Sequence, residues 1–148
     1  MLSITVFASS FSMFAAGRAF EQIRNSVAYP KLNVKVVGTH SGLTVGEDGA
    51  THQCLEDLAL MRSIPGMVVI NPSDATQMKA ALRFAVEHDG PVYIRGGRLA
   101  VPVYNDIDTY EFKLGKGVCL KDGTDVTIVA TGLMVGMAVD AAKMLEDK

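Results

Sequence analysis

The sequence predicts an α/β fold, a parallel sheet with helices on both faces. Two observations predict it. Short apolar runs rich in β-branched residues, "VKVVGT" (34–39), "MVVIN" (67–71) and "PVYIR" (91–95), alternate with stretches whose apolar residues recur at helical spacing. The runs are also apolar nearly throughout rather than alternating, as strands covered on both faces are. In such sheets ligands collect at the carboxyl ends of the strands.

Taken in order, "SITVFA" (3–8) is β-prone and reads as a buried strand entering the fold. From Phe14 the pattern turns helical, with Ala16, Phe20, Ile23 and Val27 on one face and Pro30 as a stop. "VKVVGT" is the second strand. "HQCLEDLALMRSI" (52–64) reads as a helix with Cys54, Leu58 and Met61 on one face. "MVVIN" reads as a fully buried strand. "SDATQMKAALRFAVEH" (73–88) opens on polar residues suited to a helix cap and keeps Ala75, Met78, Leu82 and Ala85 on one face. "PVYIR" is the fourth strand. Residues 96–124 carry glycines, a proline and acids without helical period and read as an extended linker. "DVTIVATG" (125–132) then reads as another buried strand, and "LMVGMAVDAAKMLEDK" as a helix.

At 148 residues the length suits about one domain, and 49% apolar against 20% charged residues leans apolar, consistent with surface covered by a partner. A net charge of −2, with Lys and Arg scattered, makes no case for nucleic acid. No stretch reaches the roughly 18 unbroken apolar residues of a membrane span. The first residues lack the positive segment of a signal peptide. Cys54 and Cys119 fit no metal spacing; Cys54 reads as a buried free thiol, and a reduced, cytoplasmic setting follows.

The chemistry concentrates in "THSGLTVGEDGATHQ" (39–53). Two of the three histidines, His40 and His52, frame a turn with three glycines and the acids Glu47 and Asp48. Metal binding is a weak reading, because the histidines share neither a helical repeat nor a finger spacing. A polar site is the stronger one. His52 is expected near a helix N-terminus, where the dipole favours neutral imidazole able to donate to or accept from a substrate oxygen. Asp48 can accept hydroxyl hydrogen bonds. His40 and Arg95, each closing a strand, can pair with a phosphate. Phe11 and Phe14, on spacing alone, read as core.

"FSMFAAGRAFEQIRN", "GTHSGLTVGEDGATHQ" and "PVYIRGGR" together resemble the pyrimidine-binding domain of transketolases, closest to the C-terminal subunit of the split, two-chain form. The resemblance implies a thiamine diphosphate pyrimidine-domain fold, incomplete over 1–98, a linker over 99–124, and the beginning of a C-terminal domain over 125–148. It implies transfer of a two-carbon ketol unit between phosphorylated sugars, with thiamine diphosphate and magnesium. It matches His40 and Arg95 to phosphate-binding residues, Asp48 to an acid reading a substrate hydroxyl, and catalytic His52 to a histidine near the ketol oxygens. It matches Phe11 and Phe14 to the cofactor-ring pocket, which reverses the core reading. Phe14 stands where many members have tyrosine.

The activating glutamate, in a motif like "GIAEQN", and the diphosphate and metal motif have no match, and Glu21 in "AFEQIRN" belongs to the following helix. The metal and diphosphate ligands are therefore expected on a partner, an N-terminal subunit or a second protomer, in a homo- or hetero-oligomer. The chain is expected to be inactive alone. Two alternatives stand beside this: a fragment of 1-deoxyxylulose-5-phosphate synthase, and a truncated, non-catalytic interaction module.

Overall fold

The computed structural model describes residues 4–146. Ser3 of the first expected strand and residues 147–148 of the last expected helix lie outside them. Four strands, β1 (Val6–Phe11), β2 (Val34–Thr39), β3 (Val68–Ile70) and β4 (Val92–Arg95), form one sheet in the order β1-β2-β4-β3. Every pairing is parallel. The helices are α1 (13–28), α2 (Asp57–Arg62), α3 (Ala75–Glu87) and α4 (Met134–Glu146).

The strands sort their side chains to two cores, as the period of two requires. Val36 and Tyr93 join Ala15, Ala16, Ile23, Met61 and Ile64 of α1, α2 and the turn after α2. Val92 and Ile94 join Ala81 and Ala85 of α3, with Val37 packed beside them. The expected layers, helices on both faces of a parallel sheet, are therefore present.

Burial is less even than the apolar runs suggested. β1 is the edge strand and pairs only with β2, so Val6 and Phe7 stay exposed rather than buried. β3 closes the other edge, and Val68 and Val69 are only half-buried. The α1 run is helical as expected, but two of its turns close through i→i+5 bonds, Phe14 O to Ala19 N at 3.0 Å and Arg24 O to Tyr29 N at 2.9 Å. In α3, Asp74 caps the first turn by accepting from Gln77 N at 2.9 Å. Ala75 proves exposed, while Thr76, Ala81 and Ala85 face inward.

The buried strand expected at 125–132 does not form. No strand pairs with this segment among the described residues, and Val126 and Val129 are exposed. A β-prone run without a ladder partner has no way to satisfy its backbone except water. The segment is tied to the sheet unit by single contacts instead. Asn71 donates to Thr131 Oγ1 at 2.9 Å. Gly132 (φ +57) lies against the Asn71 amide, where a Cβ would come within 2.6 Å. Earlier in the linker, the second carboxylate oxygen of Asp74 accepts from Tyr104 N, Asn105 N and Asn105 Nδ2 at 2.8–2.9 Å. Burial works to raise the Asp74 pKa, but these bonds and the Gln77 cap outweigh it, so the carboxyl sits below its ordinary value.

At the opposite end of the sheet from the carboxyl edge, Lys35 is fully buried and donates to Asn33 Oδ1, His88 O and Gly90 O. Three acceptors take its three ammonium protons, which is how a buried lysine is tolerated.

Candidate functional site

Because all strands run the same way, their carboxyl ends share one edge. The register sets Phe11 opposite Thr39 and Gly38 opposite Arg95, so the ends of β1, β2 and β4 meet there. Phe11 closes β1, Phe14 lies in the first turn of α1, and His40 follows β2 directly. The loop after β2 is folded back by Gly42 N donating to Cys54 O at 2.9 Å and by Gln53 Nε2 donating to Leu43 O at 3.2 Å. This closure carries His52 back to the edge.

The result is a cluster of four rings. Phe11 and Phe14 lie nearly parallel with centroids 6.0 Å apart. His40 stacks on Phe11 at 4.0 Å, and His52 meets Phe11 and Phe14 edge-on at 5.8 and 5.2 Å. The Arg18 guanidinium stands 5.0 Å over Phe14. All four rings are half-buried. His40 has φ +56, a left-handed conformation that costs a non-glycine residue about 1 kcal/mol and that collects at functional sites. His40 Nδ1 is 3.1 Å from Thr39 Oγ1 and His52 Nδ1 is 2.9 Å from Thr51 Oγ1, which leaves both Nε2 atoms without a protein partner among the described residues.

Arg95 lies beside this loop, its Nη2 3.5 Å from where a Cβ on Gly42 would sit. Asp48 is exposed at the end of the short turn Leu43–Asp48, with no hydrogen bond or ion pair among the described residues. Its neighbour Glu47 accepts from Arg98 Nη2 at 2.8 Å. The structure thus gathers Phe11, Phe14, His40 and His52, sets Arg95 next to them, and leaves Asp48 on the same loop without contact. The helix expected at 52–64 shortens to α2, which begins five residues after His52. The helix-dipole argument for a neutral His52 therefore fails, since that field fades within the first turn. The shortening follows from Cys54, whose backbone is bridged to Gly42. Glu21 is exposed and accepts from Asn25 one turn on.

Beneath the rings lies a buried polar chain absent from the sequence expectations. Asp57, fully buried, accepts through Oδ2 from Arg95 Nε at 2.7 Å and from the Tyr93 hydroxyl at 2.9 Å; its Oδ1 has no partner. Tyr93 Oη is 3.1 Å from Ser12 Oγ, and Ser12 Oγ touches Ser41 Oγ. Burial above all holds the Tyr93 proton on; the Ser12 hydrogen bond pulls the other way, and the neighbouring Asp57 charge and hydrogen bond add to burial. Each hydroxyl can therefore donate to the next, from Ser41 through Ser12 and Tyr93 to the carboxylate. Gly38 makes room: a Cβ there would lie 2.3 Å from Tyr93 Oη and 2.6 Å from Ser12 Oγ. The sequence does hold a signal for Asp57. It is three residues after Cys54 and four before Met61, a carboxylate on an apolar face.

Two open clefts occur elsewhere. One is lined by Thr76, Lys79, Tyr104 and Asn105, the other by Arg62, Met67, Asn71 and Thr131. The ring cluster is a half-open surface rather than an enclosed cavity.

A parallel α/β sheet that brings an aromatic–histidine cluster and an arginine to its carboxyl edge has its polar groups where α/β folds bind ligands. Residues 2–103 match the family described as "Transketolase, pyrimidine binding domain", and residues 115–148 the one described as "Transketolase, C-terminal domain". The chain belongs to the transketolase family. It is 55% identical, over 96% of its length and 45% of the other, to a putative transketolase C-terminal section of Methanocaldococcus jannaschii. It is 48% identical, over 94% and 43%, to a 6-deoxy-6-sulfo-D-fructose transketolase subunit of a Clostridium species. A 1-deoxy-D-xylulose-5-phosphate synthase of Heliobacterium modesticaldum aligns at 40% over 87% of this chain and 20% of that one. Among solved structures, "Split gene transketolase, inactive beta4 tetramer" superposes with a TM-score of 0.87 at 56% identity, over 95% of this chain and 44% of that one. The chain spans under half the length of these relatives. No helix among the described residues is long and apolar enough to cross a membrane.

Proposed function

We propose that this chain supplies the substrate-reading and ring-packing half of a transketolase-type site, where a two-carbon ketol unit passes between phosphorylated sugars. The observation that carries the reading is the convergence of Phe11, Phe14, His40 and His52 at the sheet edge where Arg95 also ends.

The near-parallel, half-buried rings of Phe11 and Phe14 fit a flat heteroaromatic ring, so these two residues would hold the aminopyrimidine of thiamine diphosphate. That cofactor, when bound, supplies the carbanion chemistry that two-carbon transfer needs. The ligands of magnesium and of the diphosphate are assigned to a partner in this reading. The partner is an N-terminal subunit or a second protomer. The chain alone is expected to be inactive.

His52, edge-on to the ring pair and with Nε2 free of protein partners among the described residues, holds or moves a proton at the ketol oxygens. His40 and Arg95 bind the sugar phosphate, Arg95 with its two Nη groups as a fork. Asp48 accepts from a sugar hydroxyl. The division into 1–98, 99–124 and 125–148 and a cytoplasmic setting, in keeping with two free thiols, go with this reading.

The test is a ketol-transfer assay with the chain assembled on its N-terminal subunit. Xylulose 5-phosphate is the expected donor. Turnover of pyruvate in its place would move the assignment to 1-deoxyxylulose-5-phosphate synthase, which the Heliobacterium likeness keeps as the second reading. Activity of the 148 residues alone would refute the divided site.

A further inference from the structure

We infer that Asp57 is a positioning residue that aims Arg95 at the substrate phosphate, and that the buried Ser41–Ser12–Tyr93 chain locks it in place. The inference rests on the phosphate role proposed for Arg95 and deepens it.

Three observations carry it. First, Asp57 takes the Arg95 guanidinium by Nε at 2.7 Å, not by its outer fork. The grip fixes the guanidinium plane while leaving Nη1 and Nη2 without a protein partner among the described residues, free for a phosphate. Second, the carboxylate is fully buried while the Arg95 side chain keeps 18% exposure, so the pair has a sealed side and an open side. A buried carboxylate is costly unless charge-paired and hydrogen-bonded, and here one oxygen is paired twice and the other not at all. An arrangement built for stability alone would satisfy both oxygens. Third, the chain reaches the ring cluster: Ser41 follows His40 directly, and Ser12 sits between Phe11 and Phe14. One hydrogen-bonded string therefore ties Arg95 to the residues next to two of the four rings, Phe11 and His40.

A competing electrostatic role predicts the opposite sign. If Asp57 merely dilutes the Arg95 charge, removing its negative charge strengthens phosphate binding. If it aims the guanidinium, removal weakens it, because a freely rotating arginine must be ordered on binding.

The experiment compares wild type, D57N, R95A and D57N/R95A, each assembled with the N-terminal subunit. KM and kcat are measured for xylulose 5-phosphate and for unphosphorylated xylulose. D57N is expected to raise KM for xylulose 5-phosphate about tenfold, while its kcat and the xylulose KM stay within about twofold. In the R95A background D57N should add nothing to KM. A fall in KM for the phosphorylated sugar, an equal loss of kcat on both sugars, or no effect of D57N where R95A is selective would each overturn the inference and leave the phosphate reading intact. R95A without selectivity for the phosphorylated sugar would overturn both.

Should D57N fail to assemble, Y93F removes one of the two donors on Oδ2 and keeps the charge pair; a selective KM rise of about threefold is expected, and none would refute the lock. In the isolated wild-type chain, the Arg95 Nε–H should give a protected signal in nitrogen-15 spectra. Free exchange of that proton would refute the grip.

Discussion

Replacing Gly38 with alanine tests the packing beneath the site, because it predicts a sign as well as a size. In an unobstructed strand, glycine to alanine stabilises by roughly 0.5–1 kcal/mol, since glycine loses the most freedom on folding. At Gly38 the new Cβ would sit 2.3 Å from Tyr93 Oη, 2.6 Å from Ser12 Oγ and 2.9 Å from Tyr93 Cζ. Both side chains are fully buried, so neither can swing into solvent. Overpacking of this kind costs about 1–3 kcal/mol. Moving Tyr93 off Asp57 leaves a buried carboxylate one donor short, for about 1–3 kcal/mol more. After the strand gain is subtracted, the net loss is about 1–5 kcal/mol, centred on about 3 kcal/mol. At about 2–4 °C per kcal/mol for a chain of this size, Tm should fall by about 10 °C. Calorimetry of G38A against G117A reads it, since a Cβ at Gly117 meets nothing within 4 Å. G117A should melt within about 2 °C of wild type. G38A/Y93F, which removes the nearest clashing atom, should recover part of the loss. A G38A protein melting at or above wild type would refute the reasoning.

Two further predictions concern titratable groups. The Asp74 carboxyl is held below its ordinary value by four donated hydrogen bonds, so its stabilising effect is fully present above the unfolded carboxylate range and is lost as pH falls through the lower folded value. Wild type should therefore exceed D74N by about 1–2 kcal/mol in urea unfolding near neutral pH, and the gap should close in acid; parallel curves down to pH ~2 would contradict this. Burial pushes the Cys54 thiol up to about 11, with the Asp57 and Glu56 charges adding to it, whereas Cys119 is exposed. A thiol reagent at pH ~8 should label one cysteine promptly and the second only on unfolding; two fast equivalents would show that the Cys54 site is open.

How much of the fold and site was legible follows from the range of the forces involved. Strands β2, β3 and β4 and helix α3 were readable because each is specified by its own residues: "VKVVGT", "MVVIN" and "PVYIR" by β-branched runs, 73–88 by helical spacing behind Asp74. Parallel pairing followed from their alternation with helices, and parallel pairing alone placed the loop at 39–53 and Arg95 at one edge. The family motifs then singled out Phe11 and Phe14 against their own spacing, and the structure brings their rings together with His40 and His52.

Tertiary structure alone decided what depends on partners distant in sequence. Strand order left β1 and β3 at the edges, so equally apolar runs differ in burial. The run at 125–132 is as β-prone as the others yet pairs with nothing among the described residues, because a strand exists only where a neighbour accepts its hydrogen bonds. Bridging of Cys54 to Gly42 cut short the helix that local spacing extended back to residue 52. Asp57, 38 residues from Arg95 and 36 from Tyr93, gained its partners only when α2 packed on β4. The sequence alone singled out the residues proposed to carry the chemistry and the edge they occupy; packing decided which of them touch, because hydrogen bonds and ring contacts depend on distances that no local pattern encodes.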